Sequence, residues 1–363
     1  MKKAAVMALL AVAIIVIAEG GKRGSVTSTV SDVHAEGEAS EEDSQTSDRV
    51  SQIDTSISIE AGSRIAVVSK STSGEFWNLV NKGMEDAVSD VNQAYGYTSK
   101  SDQITMTFEG ASDEEDVEKQ VNTLDAVIAE NPAVLCLSAS DVDSCQAQIE
   151  AAGENGIPVV VFDSNVSNDD QVTAFRGTDN EYVGKLAGEK LAEAIGGSGK
   201  VAIFAAQEKT ESTVKRVEGF KEALEDYDDI SIVSELYTDQ VDDMSTSISD
   251  VLTSNSDLVG VFCSNGDVSD LYLSVEKSDT SPAMVGVDAT TAQQSAIGDG
   301  TELGVVSQDP YEMGYQTIMA AIQAMAKSDD EDVSIEKSVL LEPKWIDSSN
   351  INDDDISNYL YTK

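Results

Sequence analysis

From about residue 64 onward, two kinds of stretch alternate along the chain. Short apolar runs are separated by longer segments in which apolar side chains recur every three or four positions. The short runs predict buried strands: RIAVVS (Arg64 to Ser69), ITMTF (Ile104 to Phe108), AVLCLS (Ala133 to Ser138) and VVVF (Val159 to Phe162). Between them the periodic segments predict helices, from about Phe76 to Ala94, over Asp113 to Glu130, and up to Ala152. After QVTAFRGTDN (Gln171 to Asn180) the cycle restarts. A helix to Ile195, KVAIF (Lys200 to Phe204), a helix over Ser212 to Tyr227, ISIVSEL, a helix to Asn255, LVGVF (Leu258 to Phe262), a further helix and AMVGV (Ala283 to Val287) follow. Such alternation predicts an α/β fold with parallel sheets covered by helices on both faces.

The first sixty residues do not follow this rhythm. Lys2 and Lys3 precede an apolar run from Ala4 to Ala18, shorter than the ~20 residues of a comfortable membrane span, so residues 1–20 read as a signal peptide or membrane anchor. Ala18-Glu19-Gly20 is a poor cleavage site, which leaves both cleavage and retention open. Residues 21–62, rich in Ser, Thr, Asp and Glu, are expected to form an acidic disordered tether. The protein is thus expected to be exported, acting in the periplasm or at the cell surface, cleaved or held through its N-terminus.

Composition narrows the chemistry. Lys and Arg number 23 against 67 Asp and Glu, a formal charge of −44, which repels nucleic acid and anionic lipid. The one histidine, His34, lies in the expected tether, so histidine-based triads and multi-histidine metal sites are removed from the folded part. Cys136, Cys145 and Cys263 have no framework spacing and give no basis for structural disulfides. GGSGK (Gly196 to Lys200) has Ala194 where a phosphate loop needs its first glycine and Val201 where it needs Ser or Thr, so it reads as a helix stop. The acidic runs Asp113 to Asp116 and Asp329 to Asp332 lack the glycine and closing glutamate of a calcium loop. No cofactor or metal is expected.

Two carboxylates stand out. Asp163 in IPVVVFDSN and Asp288 in SPAMVGVDAT each follow a proline-led apolar run, and the residue past the C-terminal end of a parallel strand faces the ligand crevice. Helix capping is the plainer alternative for both. Other strand ends supply Lys70, Asn265 and Gln308, and Phe76 with Trp77 opens a helix after STSGE. Polar groups that bond hydroxyls, beside aromatic faces that pack on C–H groups, suit a sugar. Core packing of the rings and an exposed loop lysine at position 70 are the competing readings.

The stretches IAVVSKSTSGEFW, NGIPVVVFDSN, TDNEYVGKLAGEKLAEAIGGSGKVAIF, RVEGFKEAL, VGVFCSN, VGVD and VVSQDPYEMGY together resemble the type I periplasmic sugar-binding proteins of ABC transporters, from about Arg64 to Lys327. The resemblance implies two Rossmann-like lobes with parallel sheets, joined by three hinge crossovers and closing on one sugar. It would place one lobe at 64–176 plus 309–338 and the other at 178–307 plus 340–363. It also implies ligand contacts at Phe76, Trp77, Asp163, Asn265, Asp288 and Gln308. Ribose-type members carry arginines where Ser164 and Val214 fall here, so two donors are expected to be missing. Lys70, and the serine after Asp163, are instead similar to autoinducer-2 and rhamnose binders.

The function so implied is capture of a neutral sugar or sugar-like molecule by a monomer, and its delivery to a membrane permease. The alternative is ligand-sensing input to a chemoreceptor or sensor kinase. An enzyme is disfavoured because no nucleophile and base pair is visible. A DNA-binding repressor of related fold would begin with a basic helix-turn-helix, where this chain has an apolar segment and an acidic stretch.

Overall fold

The computed structural model describes residues 46–276, 281–329 and 333–361. The expected signal segment, His34 and most of the acidic run at Asp329 to Asp332 lie outside them. From Ser47 on, the chain belongs to one compact unit.

Two six-stranded sheets organise it. The first contains β1 (Arg64–Ser71), β2 (Thr105–Ala111), β3 (Val134–Leu137), β4 (Val159–Phe162), β5 (Ala174–Thr178) and β11 (Ser338–Leu341), in the order β11-β5-β4-β3-β1-β2. The second contains β6 (Ser198–Ala205), β7 (Asp229–Tyr237), β8 (Leu258–Cys263), β9 (Ala283–Val287), β10 (Gly304–Ser307) and β12 (Lys344–Asp347), in the order β12-β10-β9-β8-β6-β7. Every pairing is parallel except β10 with β12. The doubly wound α/β expectation therefore holds, with one antiparallel edge. The central strands read as near-continuous apolar runs because helices cover both faces, so β3, β4 and β10 are buried along their whole length.

Among the described residues, nine helices follow the first strand: α1 (Glu75–Ala94), α2 (Val117–Ala129), α3 (Gln146–Glu154), α4 (Asn180–Ala194), α5 (Glu211–Leu224), α6 (Met244–Ser254), α7 (Gly266–Ser274), α8 (Thr291–Asp299) and α9 (Pro310–Asp329). On α1, Trp77, Val80, Met84, Ala87 and Val91 recur at helical spacing and join the core with residues of α9. Two helix pairs pack with backbones nearly touching. A Cβ on Gly83 would sit 2.0 Å from the Tyr311 carbonyl oxygen, and one on Gly314 would sit 2.1 Å from that of Val80. In the second lobe, Gly184 and Gly219 play the same part for α4 against α5, at 1.9 Å from the Arg216 oxygen and 2.0 Å from the Glu181 oxygen. The glycines of EYVGK and RVEGF are thus crossing points where no side chain fits.

The structure corrects three expectations. Residues 47–62 are not tether: they are helical through residue 52, and Ile53 and Ile59 are buried in the first core, with Ile57 packed against it. Arg49 pairs with Asp90 at 2.9 Å, and the hydroxyls of Tyr95 and Tyr97 donate to the carbonyls of Ile57 and Ile59. Three isolated isoleucines lack a strand or helix period, but they dock on a surface that α1 and α9 have already built. The segment QVTAFRGTDN, expected only as a junction, holds β5. The last lobe boundary also moves: all of β11 belongs to the first sheet, so residues 340 and 341 stay with the first lobe and the chain leaves it at Glu342–Pro343.

The chain passes between the sheets at Asp179, between β10 and α9 at Gln308 and Asp309, and at Glu342–Pro343. None of the three cysteines forms a disulfide, and all are buried.

Candidate functional site

Asp163 and Asp288 share an unusual backbone. Their φ angles are 59° and 77°, in the left-handed region that disfavours side-chain-bearing residues, and Asn131 is the one other non-glycine residue found there among those described. Each follows the last residue of a central strand, β4 or β9. Each donates its N–H to a carbonyl of the neighbouring strand, Asp163 to Arg176 at 2.9 Å and Asp288 to Val306 at 3.1 Å. Neither caps a helix. Both side chains are at most 5% exposed and line one cavity of ≈ 60 Å³ between the lobes.

Lys70, at the end of β1, sits on the first aspartate. Its Nζ lies 2.8 Å from Asp163 Oδ2 and donates to Ser164 Oγ at 3.0 Å, with Trp77's ring centroid 5.7 Å away. It is buried, not an exposed loop lysine. Burial opposes charge on both partners, but each outweighs it for the other. Asp163 is held below the usual carboxylate range by Lys70, and Lys70 is held above the usual lysine range by Asp163 and then Glu114. Asp163 Oδ2 also accepts from Ser138 and Ser164, at 3.0 and 3.2 Å, whereas Oδ1 has no donor among the described residues.

The second aspartate has neutral partners. Asp288 Oδ1 accepts from Gln308 Nε2 at 2.7 Å and from the Tyr361 hydroxyl at 3.0 Å, and Oδ2 accepts from the Gly266 N–H at 2.8 Å. Asn265 uses its Oδ1 to cap α7 through the Val268 N–H at 3.0 Å. Phe76 meets Trp77 edge-on at 5.0 Å and Tyr361 at 6.0 Å. Trp77 does belong to the core, yet it also lines the cavity, and its Nε1–H donates to Glu114 at 2.6 Å.

Lys70, Phe76, Trp77, Asp163, Asn265, Asp288 and Gln308 therefore all line the same cavity. Arg216 joins them unforeseen. The sequence left the arginine place of RVEGF on Val214, but two residues later on α5 the buried Arg216 reaches the cleft. It donates Nε–H to Asn180 at 2.8 Å and Nη1–H to the Ser264 carbonyl at 2.9 Å, and no carboxylate pairs with it among the described residues. Glu114, Ser212, Thr213 and Tyr361 were missed as well. The arginine ahead of GF was the one available signal.

The lobes meet on both sides of the cavity. On one side the Thr210 hydroxyl donates to the Ser140 carbonyl at 2.7 Å, and the Ser164 and Ser212 hydroxyls are 2.8 Å apart. On the other side Glu75 accepts from Thr291. Buried donors and acceptors converge on the space between, and aromatic edges wall it.

A family model described as periplasmic binding protein domain matches residues 65–329. Among curated proteins, the chain is similar to the ribose import binding protein RbsB of Escherichia coli, 23% identical over 206 residues, covering 56% of this chain and 69% of that protein. It is also similar to the D-apiose import binding protein of Actinobacillus succinogenes, 23% identical over 266 residues, covering 71% and 84%. Among solved structures, an ABC transporter solute-binding protein from Agrobacterium vitis with bound D-fucose is 27% identical, with a TM-score of 0.74 over 82% of this chain and 100% of that one. A second from the same organism, bound with α-D-tagatopyranose, is 24% identical with the same TM-score, which speaks for the fold. Because the family match runs from the first strand to the end of α9, well over half the chain, the protein belongs to the periplasmic binding protein domain family.

Proposed function

We propose that this protein captures a sugar or sugar-like molecule between its two lobes, outside the cytoplasm, and delivers it to the permease of an ABC transporter. The observation that carries the reading is the pair of left-handed aspartates, placed alike at the ends of β4 and β9 and turned onto one cavity. A hydroxyl-bearing ring would find an open acceptor in Asp163 Oδ1, donors in Lys70 and Arg216, and apolar edges in Phe76 and Trp77. Lys70 pairs with Asp163, and no cation is left over to hold an anionic ligand beyond Arg216, which suits a ring without negative charge. The import proteins and sugar-bound structures to which the chain is similar support the same reading.

Binding without chemistry is the natural role of such a site. Each carboxylate is held by fixed donors, and Asp163, held below the usual carboxylate range by Lys70, stays ionised and is not a proton donor. Among the described residues no helix is long and apolar enough to cross a membrane. A tether or anchor in the first 45 residues is part of the proposal.

The test is a thermal-shift screen against pentoses, hexoses and polyols, followed by calorimetry. A ligand at a hundredfold excess over its Kd adds about 2.7 kcal/mol of stability. Absence of any stabilising sugar would overturn the reading.

A further inference from the structure

The sugar cavity opens into a larger space. A groove of ≈ 710 Å³ continues from it between the lobes, and the two share Ser73, Gly74, Glu114, Asn265 and Asp267 in their walls. One wall carries Asp113, Glu114 and Glu115, from the loop after β2. The other carries Asp242 and Asp243, ahead of α6, and Asp267 in the first turn of α7. No lysine or arginine lines it among the described residues.

Some of these carboxylates already have work. Glu114 accepts from Trp77, Asp113 from the Glu115 N–H, and Asp243 caps α6 through the Thr246 N–H. Glu115, Asp242 and Asp267 have no hydrogen-bond donor among the described residues. The carboxylates do not converge as a metal cage, since no group of three or more metal-ligating side chains among the described residues could hold an ion.

A second observation is independent of the acids. Gln207, just past the end of β6, lines the groove and is 6% exposed, yet its side-chain amide has no hydrogen-bond partner among the described residues. Its polar atoms are open to the groove's solvent, so a ligand group there would replace water on the amide. Asp267 also registers the local field. Crowding by the cleft walls, then the charges of Glu114, Asp288, Asp270 and Asp113, raise its carboxyl above the ordinary range, although the side chain stays open to the groove's solvent. A further negative charge would be repelled here, and a positive one would relieve the crowding.

We infer that the groove is a second subsite for a protonated amine, so that the ligand is a sugar whose substituent or aglycone carries an organic cation. The inference rests on the sugar reading of the inner cavity and extends it. An ammonium offers N–H donors to the open carboxylates of Glu115, Asp242 and Asp267 while the ring stays between Asp163 and Asp288. Phosphorylated or carboxylated substituents would meet six carboxylates and no compensating cation.

Calorimetry on matched pairs tests this, using the methyl and 2-aminoethyl β-glycosides of D-ribose, D-galactose and D-glucose at low and physiological salt. For whichever sugar binds, the aminated member should bind about tenfold more tightly, with an advantage that shrinks as salt rises. The double variant Glu115→Gln/Asp242→Asn should lose that advantage and keep the methyl glycoside's affinity, because neither residue lines the inner cavity. Both side chains are exposed, so its melting temperature should match the parent's. Equal binding of the two members, or an advantage that survives the double variant, would overturn the inference and leave the sugar reading standing. Failure of every glycoside to bind would overturn both.

Discussion

Glu75 and Thr291 join the two lobes by a pair of hydrogen bonds. The carboxylate at the start of α1 accepts the Thr291 N–H on one oxygen and the Thr291 hydroxyl on the other, both at 2.7 Å. Thr291 is the first residue of α8, so the acid also meets the positive end of a helix dipole. The contact exists only when the lobes are together, and it therefore stabilises the closed arrangement against the open one. Glu75→Ala should weaken sugar binding about fivefold, the effect of losing about 1 kcal/mol at an exposed site, and should raise the radius of gyration measured by small-angle scattering. An unchanged affinity would mean that the clasp does not bias closure.

The two aspartates should respond differently to substitution. Asp288→Asn keeps an acceptor for Gln308 and Tyr361 and gives up only the bond from the Gly266 N–H, so the fold should persist while sugar affinity falls more than about tenfold. Asp163→Ala leaves Lys70 buried and unpaired, and breaking such a pair costs about 3–5 kcal/mol. Denaturant unfolding should show that loss. Lys70→Met combined with Asp163→Asn should restore most of the stability without restoring binding, since no buried charge is left unpaired and asparagine tolerates the left-handed backbone. If Asp163→Ala alone were as stable as the parent, the ion pair would carry no structural weight.

How much of this was legible in the sequence depends on where each residue lies relative to its strand. Asp163, Asp288, Lys70 and Gln308 were readable because β4, β9, β1 and β10 are apolar runs whose ends are plain, and a parallel strand's end faces the crevice. Tyr361 could not be read that way. It lies beyond β12, and only the packing of the C-terminal segment brings its hydroxyl to Asp288. Arg216 was not singled out, because counting back from Gly219 and Phe220 put the family's arginine place on Val214, and the helix sends the residue two places later into the cleft. β5 escaped notice because Arg176 and Gly177 interrupt its apolar pattern. Arg176 is tolerated there because its guanidinium donates to the carbonyls of Phe175 and Glu336. The isoleucines at 53, 57 and 59 were taken for tether because their burial is owed to α1 and α9, not to any local period.

Glu302 gives a pH prediction. It is 2% exposed, Oε1 accepts from Gln293 at 3.4 Å, and Oε2 has no partner, so burial pushes its pKa well above the ordinary value. A carboxyl raised in the folded state favours folding fully below its unfolded pKa, and that contribution is lost as pH climbs from there towards the folded value. Glu302→Gln removes the titration. Its melting temperature should exceed the parent's at pH 7, by roughly 2–4 °C for each kcal/mol gained, and match it near pH 4. A constant difference across that range would show that Glu302 does not titrate differently on folding.

The glycine crossings can be tested against glycines of no structural consequence. Gly219 in α5 has no room for a Cβ, which would lie 2.0 Å from the Glu181 carbonyl oxygen, and backbone cannot rotate away as a side chain would. Gly219→Ala must push α4 and α5 apart, so it should destabilise by at least the 1–3 kcal/mol typical of overpacking. Gly153, in α3, has nothing within 4 Å of its would-be Cβ and no positive φ. There the same change should stabilise by roughly 0.5–1 kcal/mol, because alanine loses less backbone freedom on folding. Denaturant midpoints of the two variants should therefore move in opposite directions from the parent's. If Gly219→Ala were also stabilising, the helices would have to be able to separate without cost, and the close approach would not be what keeps glycine at that position.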